Sequence, residues 1–297
     1  MNSGNLKYQF ARANFAEKLI VVNVAVYLVF RLASFLFQIP ILALEAWFEL
    51  PKGLGDFALQ PWSLVTYSFL HGSFWHLFFN MLLLYYMARI FFNFFGTRRF
   101  VNVYFLGVIL GGLFFLAAYN IFPAFAASRS PLIGASAGVM AVLIYVCTYS
   151  PNLPIRIFFF NVKLWHVGAF FVLLDLLMIP LGDNAGGRIA HLGGALLGYL
   201  YASQSREGKD LGAGFSRLLD GLANFFNSLG GLFEKRERKA PMKTVYKKQR
   251  SAPTKADYDK ATKQRKIDGI LDKISKSGYE SLTQAEKDFL FKAGKED

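Results

Sequence analysis

The sequence is poor in the residues that enzyme chemistry usually draws on. Among 297 residues there is one cysteine, Cys147, and there are four histidines. A single thiol cannot close an internal disulfide, and it says nothing firm about redox compartment. No His/Cys group has the spacing of metal ligands, so no metal is expected. Acids are scarce as well: residues 1–203 hold 6 Asp/Glu against 12 Lys/Arg. No solenoid-type repeat runs through the chain.

Apolar residues, in contrast, are abundant. The chain is 54% hydrophobic and 17% aromatic, with a mean hydropathy of +0.32. Several runs reach the roughly 18–22 residues needed to cross a bilayer core of about 30 Å. Six spans are read, at about 19–40, 77–95, 100–122, 132–149, 164–181 and 189–202. The first follows Lys7, Arg12 and Lys18, lacks a small-residue cleavage site and is followed by further spans. It therefore reads as a retained span and not a secretory leader. Arg31 within it must face the bundle or reach for the interface. Residues 41–75 form a long aromatic connection broken by Pro51, Gly53, Gly55 and Pro61, which suits the headgroup layer.

Six spans put both ends on one side, and charge says which. Lys7, Arg12, Lys18, Arg98, Arg99, Arg156, Lys163 and the basic tail share a side. Lys52, Arg129 and Arg188 fall on the other, with Glu45, Glu49, Asp56 and Asp183. Both termini are thus expected to be cytoplasmic. The net charge of +13 is densest after residue 203. Beside membrane spans such a tail faces anionic lipid, and no nucleic acid is expected.

The chain divides into a cytoplasmic segment (1–18), a six-helix membrane domain (19–203) and an amphipathic surface helix (204–233). A basic, disordered linker (234–266) and a small helical hairpin (267–297) follow. In the hairpin, Thr283 and Glu286 have the spacing of a capping box.

This topology brings Ser136, His191 and His76 to about the same depth, near the outer face. Ser136 lies between Gly134 and Gly138 at the start of the fourth span. A serine hydroxyl needs a base within hydrogen-bond reach; a helix-packing serine is the competing reading. His191 shares a helix face with Gly194 and Gly198, and that bare face can press on the fourth span and carry the imidazole to Ser136. His76 and Asn80, one turn apart, can donate to an oxyanion, or hold spans together as a polar pair. His71 reads as an interfacial loop residue. His166 falls at the wrong depth. Asp175 can orient His191, but its place near mid-span favours a structural bond, which leaves a Ser–His dyad.

Together, His71-Gly-Ser-Phe-Trp-His-Leu-Phe-Phe-Asn80, Gly134-Ala-Ser136 and Ala190-His-Leu-Gly-Gly-Ala-Leu-Leu-Gly198 resemble the three signatures of rhomboid intramembrane serine proteases. The resemblance covers about residues 15–203. It departs from the family pattern at Ala137, at Met140 and in lacking a Trp-Arg pair in the first loop. It implies an all-α, six-helix rhomboid-like bundle with a cytoplasmic C-terminal extension, placed in a bacterial inner (plasma) membrane. It also implies Ser136 as nucleophile, His191 as base, His76 and Asn80 as oxyanion donors, no cofactor, and transmembrane proteins as substrates. The alternatives are an inactive rhomboid-like protein that binds membrane clients and a small transporter. The latter is disfavoured by the lack of an inverted repeat.

Overall fold

A computed structural model describes residues 6–125, 131–157, 159–181, 184–233 and 255–294. Arg129, Asp183 and residues 1–5 and 234–254, on which parts of the charge, terminal and linker readings fall, lie outside the described residues. The chain forms two compact units, Met1–Phe233 and Glu234–Asp297.

The first unit opens with α1 (Leu6–Arg12) and α2 (Phe15–Phe37). Asn14 and Glu17 close a capping box at the start of α2, and Gln38, with φ 53°, ends it. The long connection is not loop throughout. It contains α3 (Ile41–Glu45), α4 (Leu54–Leu59) and α5 (Ser63–Thr66), each too short for hydropathy to reveal. Next come α6 (Phe74–Phe92), α7 (Thr97–Ile121) and α8 (Ser136–Tyr149). An antiparallel hairpin follows, β1 (Pro154–Ile157) with β2 (Phe160–Lys163), pairing Ile155 with Val162. Then α9 (Leu164–Met178), α10 (Ala185–Arg206) and α11 (Ala213–Phe233) complete the unit.

Among the described residues, α2, α6 and α7 are long and apolar enough to cross a membrane by length and composition, and α8 and α9 are shorter apolar helices. The sixth stretch is longer than its hydropathy suggests. Asn184 caps α10 by accepting from the Gly187 N–H at 3.1 Å, so the helix begins before its apolar part.

The centre of the unit is α8, whose residues from Ala137 to Cys147 are all buried. A helix buried on every side belongs inside a bundle. Its neighbours approach through glycine. A methyl group at Gly194 would lie 2.1 Å from the Ala137 carbonyl oxygen, and one at Gly198 2.3 Å from that of Ala141. On the α7 side, a methyl at Gly107 would meet the Ala141 side chain at 2.3 Å. These helices therefore touch backbone to backbone, as small-residue faces permit.

Arg31 faces the bundle. Its guanidinium donates to the carbonyls of Gly72 at 2.6 Å and His71 at 3.3 Å, and it lies over the Tyr27 ring. At the opposite end, Asn102 of α7 donates to Ser216 Oγ (2.8 Å) and the Gly212 carbonyl (3.2 Å), fastening the start of α11. Leu218, Leu222, Phe225 and Phe226 of α11 stay exposed.

The second unit holds α12 (Lys255–Ser277) and α13 (Gln284–Ala293). Residues 255–266, read from sequence as the end of a disordered linker, are helical. This first half of α12 is too polar to show an apolar period, whereas a bond such as Gln264 to Asp268 supports a helix without one. The Thr283–Glu286 capping box forms as its spacing predicts.

Candidate active site

Ser136 is the first residue of α8, and the turn before it is shaped by Gly134. That glycine has φ +123°, a conformation side chains rarely adopt, and its N–H donates to the Tyr67 carbonyl at 2.9 Å. It also lies against His76: a methyl there would sit 2.8 Å from the imidazole Nε2 and 3.5 Å from Ser136 Oγ. His76 of α6 and Ser136 of α8 thus converge on one bare patch of backbone. The residue capping α8 is Ala135, which has no side-chain acceptor, so no side chain caps the N–H groups of the first turn.

His76 lies in the first turn of α6, where its N–H donates to Ser73 Oγ at 3.1 Å. Asn80 is buried one turn on, and its Nδ2 donates to the His76 carbonyl at 2.8 Å. That bond uses one of the two amide hydrogens and leaves the other. The sequence reading of His71 is corrected by its burial. Its ring, 1% exposed, stands edge-on to His76 with centroids 5.0 Å apart. Burial, and secondarily the neighbouring His76, hold its pKa down at about 3, so it stays neutral.

His191 lies on the face of α10 that bears Gly194 and Gly198. Gly194 seats on the carbonyl of Ala137, the residue next to Ser136. The imidazole is held from behind. Its Nδ1 lies 3.0 and 3.1 Å from the two oxygens of Asp175, a residue only 4% exposed on α9. An ionised carboxylate only accepts, so Nδ1 carries the proton and Nε2 is left as the basic nitrogen. Arg188 Nη1 donates to the same carboxylate at 3.3 Å, which balances its charge.

Asp175 is the residue that sequence reasoning set aside. Its depth was judged from a fifth span running to about residue 181, but α9 stops at Met178. Asp175 is therefore one turn from the helix end, level with the early part of α10. His166 lies at the other end of α9, where its Nδ1 accepts from the Lys163 N–H at 3.2 Å. Among the described residues, no group of three or more His, Cys, Asp or Glu side chains is disposed to hold a metal ion.

Ser136 on a buried helix, His191 on the helix pressed against it and Asp175 behind the imidazole thus lie within one unit of apolar, membrane-type helices. The chain belongs to the rhomboid family, whose domain model matches residues 58–206. A second model, described as a family of unknown function, matches residues 254–293. Among curated relatives, RHOMBOID-like protein 12, mitochondrial, of Arabidopsis thaliana is 27% identical over 158 residues, 50% of this chain and 47% of its own. Rhomboid protein 1, mitochondrial, of Saccharomyces cerevisiae is 29% identical over 195 residues, 63% of this chain and 52% of its own. Rhomboid-like protease 1 of Toxoplasma gondii is 30% identical over 141 residues, 47% and 45% of the two chains. The chain spans about half the length of the curated relatives it matches. It is a multi-pass membrane protein.

Proposed function

We propose that this protein is a serine endopeptidase that cleaves transmembrane protein substrates near the outer membrane face, with no cofactor. In this reading α2, α6, α7, α8, α9 and α10 are the six spans, both termini are cytoplasmic, α11 lies on the inner leaflet and the second unit is a cytoplasmic extension. The distribution of Lys and Arg supports that orientation. The mitochondrial placement of the Arabidopsis and yeast relatives belongs to those proteins. For this chain a bacterial inner membrane remains the proposed location.

The observation that carries the proposal is the Asp175–His191 pair at 3.0 Å, on the helix that abuts Ser136's neighbour. A histidine oriented through Nδ1 presents Nε2 as a general base. Ser136 Oγ attacks the scissile carbonyl as its proton passes to His191 Nε2. The resulting oxyanion accepts from His76, from the spare Asn80 N–H and from the uncapped first turn of α8. The C–N bond then breaks, and His191 returns the proton to the leaving amine. Water, activated by the same imidazole, releases the acyl group. In this reading Asp175 adds an orienting carboxylate to the Ser–His dyad expected from sequence. A substrate helix must unwind to offer its carbonyl, so small or helix-breaking residues near its outer end favour cleavage.

The test is cleavage of a model transmembrane substrate, with fluorophosphonate labelling alongside. Wild-type protein is expected to cleave and to be labelled; Ser136→Ala is expected to do neither. Folded wild-type protein that neither cleaves nor labels would leave a rhomboid bundle that only binds clients.

A further inference from the structure

A cavity lies away from the serine, toward the end of α6 and the start of α9. It has a volume of about 760 Å³ and opens between α6, β1 and α9. Leu83, Val167 and Phe171 contribute apolar wall, while Arg89, Asn93 and Arg156 line it as polar groups. All three polar residues are exposed. Arg89 lies thirteen residues past His76 on α6, about 20 Å along the helix axis. That distance takes it from the candidate site to the opposite membrane face. The hairpin bearing Arg156 joins the end of α8 to the start of α9, so it belongs to that face too. The two guanidinium groups therefore sit at headgroup depth, while the apolar walls run into the hydrocarbon layer.

We propose that this cavity binds one anionic glycerophospholipid, its phosphate held by Arg89 and Arg156 and an acyl chain laid against Leu83, Val167 and Phe171. Guanidinium is suited to phosphate because its planar fork donates two parallel hydrogen bonds. A basic pocket between membrane helices on the side of anionic lipid is the setting in which headgroups are held. The volume falls within the range of sites that enclose small molecules. A free phosphate would satisfy the arginines but leave the apolar wall empty; the proposal is for the lipid. Bound there, it bridges α6, which bears His76, to α9, which bears Asp175.

The test is native mass spectrometry of the full chain in detergent, titrated with dioleoylphosphatidylglycerol, dioleoylphosphatidylcholine or glycerol phosphate. One dioleoylphosphatidylglycerol is expected to bind in preference to the zwitterionic lipid, with no retention of glycerol phosphate. Arg89→Gln/Arg156→Gln should weaken the anionic lipid about twenty-fivefold, at roughly a factor of five per arginine, and weaken phosphatidylcholine less, so that the preference between the two lipids is lost. Val167→Trp, which fills the apolar end and keeps both arginines, should also displace the lipid. Equal binding of both lipids, retention of glycerol phosphate alone, or unchanged binding by either variant would overturn the proposal. So would one-for-one displacement by a model transmembrane peptide, which would reassign the cavity to a protein segment.

Discussion

Asp175 and Gly134 act on the site in different ways. Asp175 fixes the tautomer of His191 and shares its carboxylate with Arg188. Asp175→Asn is expected to lower kcat by about a hundredfold or more with little change in KM, since the group acts through the base and not on the substrate. It also leaves Arg188 without its counter-charge, at a cost of about 1–3 kcal/mol, because that arginine is partly solvated. Asp175→Asn/Arg188→Gln should recover the melting temperature and not kcat, separating orientation from stability. Gly134 matters through shape. Gly134→Ala strains a backbone with φ +123° by about 1–2 kcal/mol and drives a methyl into His76. Folded variant protein should lose fluorophosphonate labelling while its far-UV circular dichroism is unchanged.

At the scale of elements, the α8–α10 seam was legible in the sequence. Gly194 and Gly198 recur at helical spacing after His191, and that pattern identifies the face that meets Ala137 and Ala141. Gly198→Ala puts a methyl 2.3 Å from a backbone oxygen that no rotamer can move. It should cost about 1–3 kcal/mol or more by thermal melting, and lower cleavage by displacing α10. Other features were hidden for identifiable reasons. Asp175 ranks as a structural residue in the sequence, and not as the partner of His191, because hydropathy continues through Ile179 and Leu181 after the helix has ended. The β1–β2 hairpin did carry a faint signal, the alternation of Ile155, Arg156 and Ile157, obscured by flanking prolines. In the second unit, Glu286 accepts from Lys273 and from Thr283, and these bonds hold its carboxyl at about 2. A carboxylate with a depressed folded pKa contributes stability above its unfolded value, near 4.5, and loses it as pH falls toward 2. Hydrogen-exchange protection of α13 should fall across that window. In Glu286→Gln it should already be low at neutral pH and vary little between pH 4.5 and 2.

On the scale of the whole molecule, the two units carry separate cores and separate family matches, 58–206 and 254–293. A chain ending at residue 233 is therefore expected to keep the melting temperature and fluorophosphonate labelling of the full protein. A drop in either would mean that the membrane unit draws on the second. The membrane character was readable because a bilayer demands long apolar runs. Less readable was everything set by contact between runs: Arg31 gripping the His71 and Gly72 carbonyls, or Asn102 holding Ser216. Such bonds join residues far apart in sequence and leave no periodic trace.

Where two helices meet with no side chains between them, there is no soft layer to deform. In the proposed protease, the carriers of the hydroxyl and the imidazole consequently travel as a single rigid body, and their spacing is indifferent to whatever breathing admits a substrate. Access has to be granted by the looser helices around them, so the speed of entry and the accuracy of the chemistry can be tuned by separate mutations.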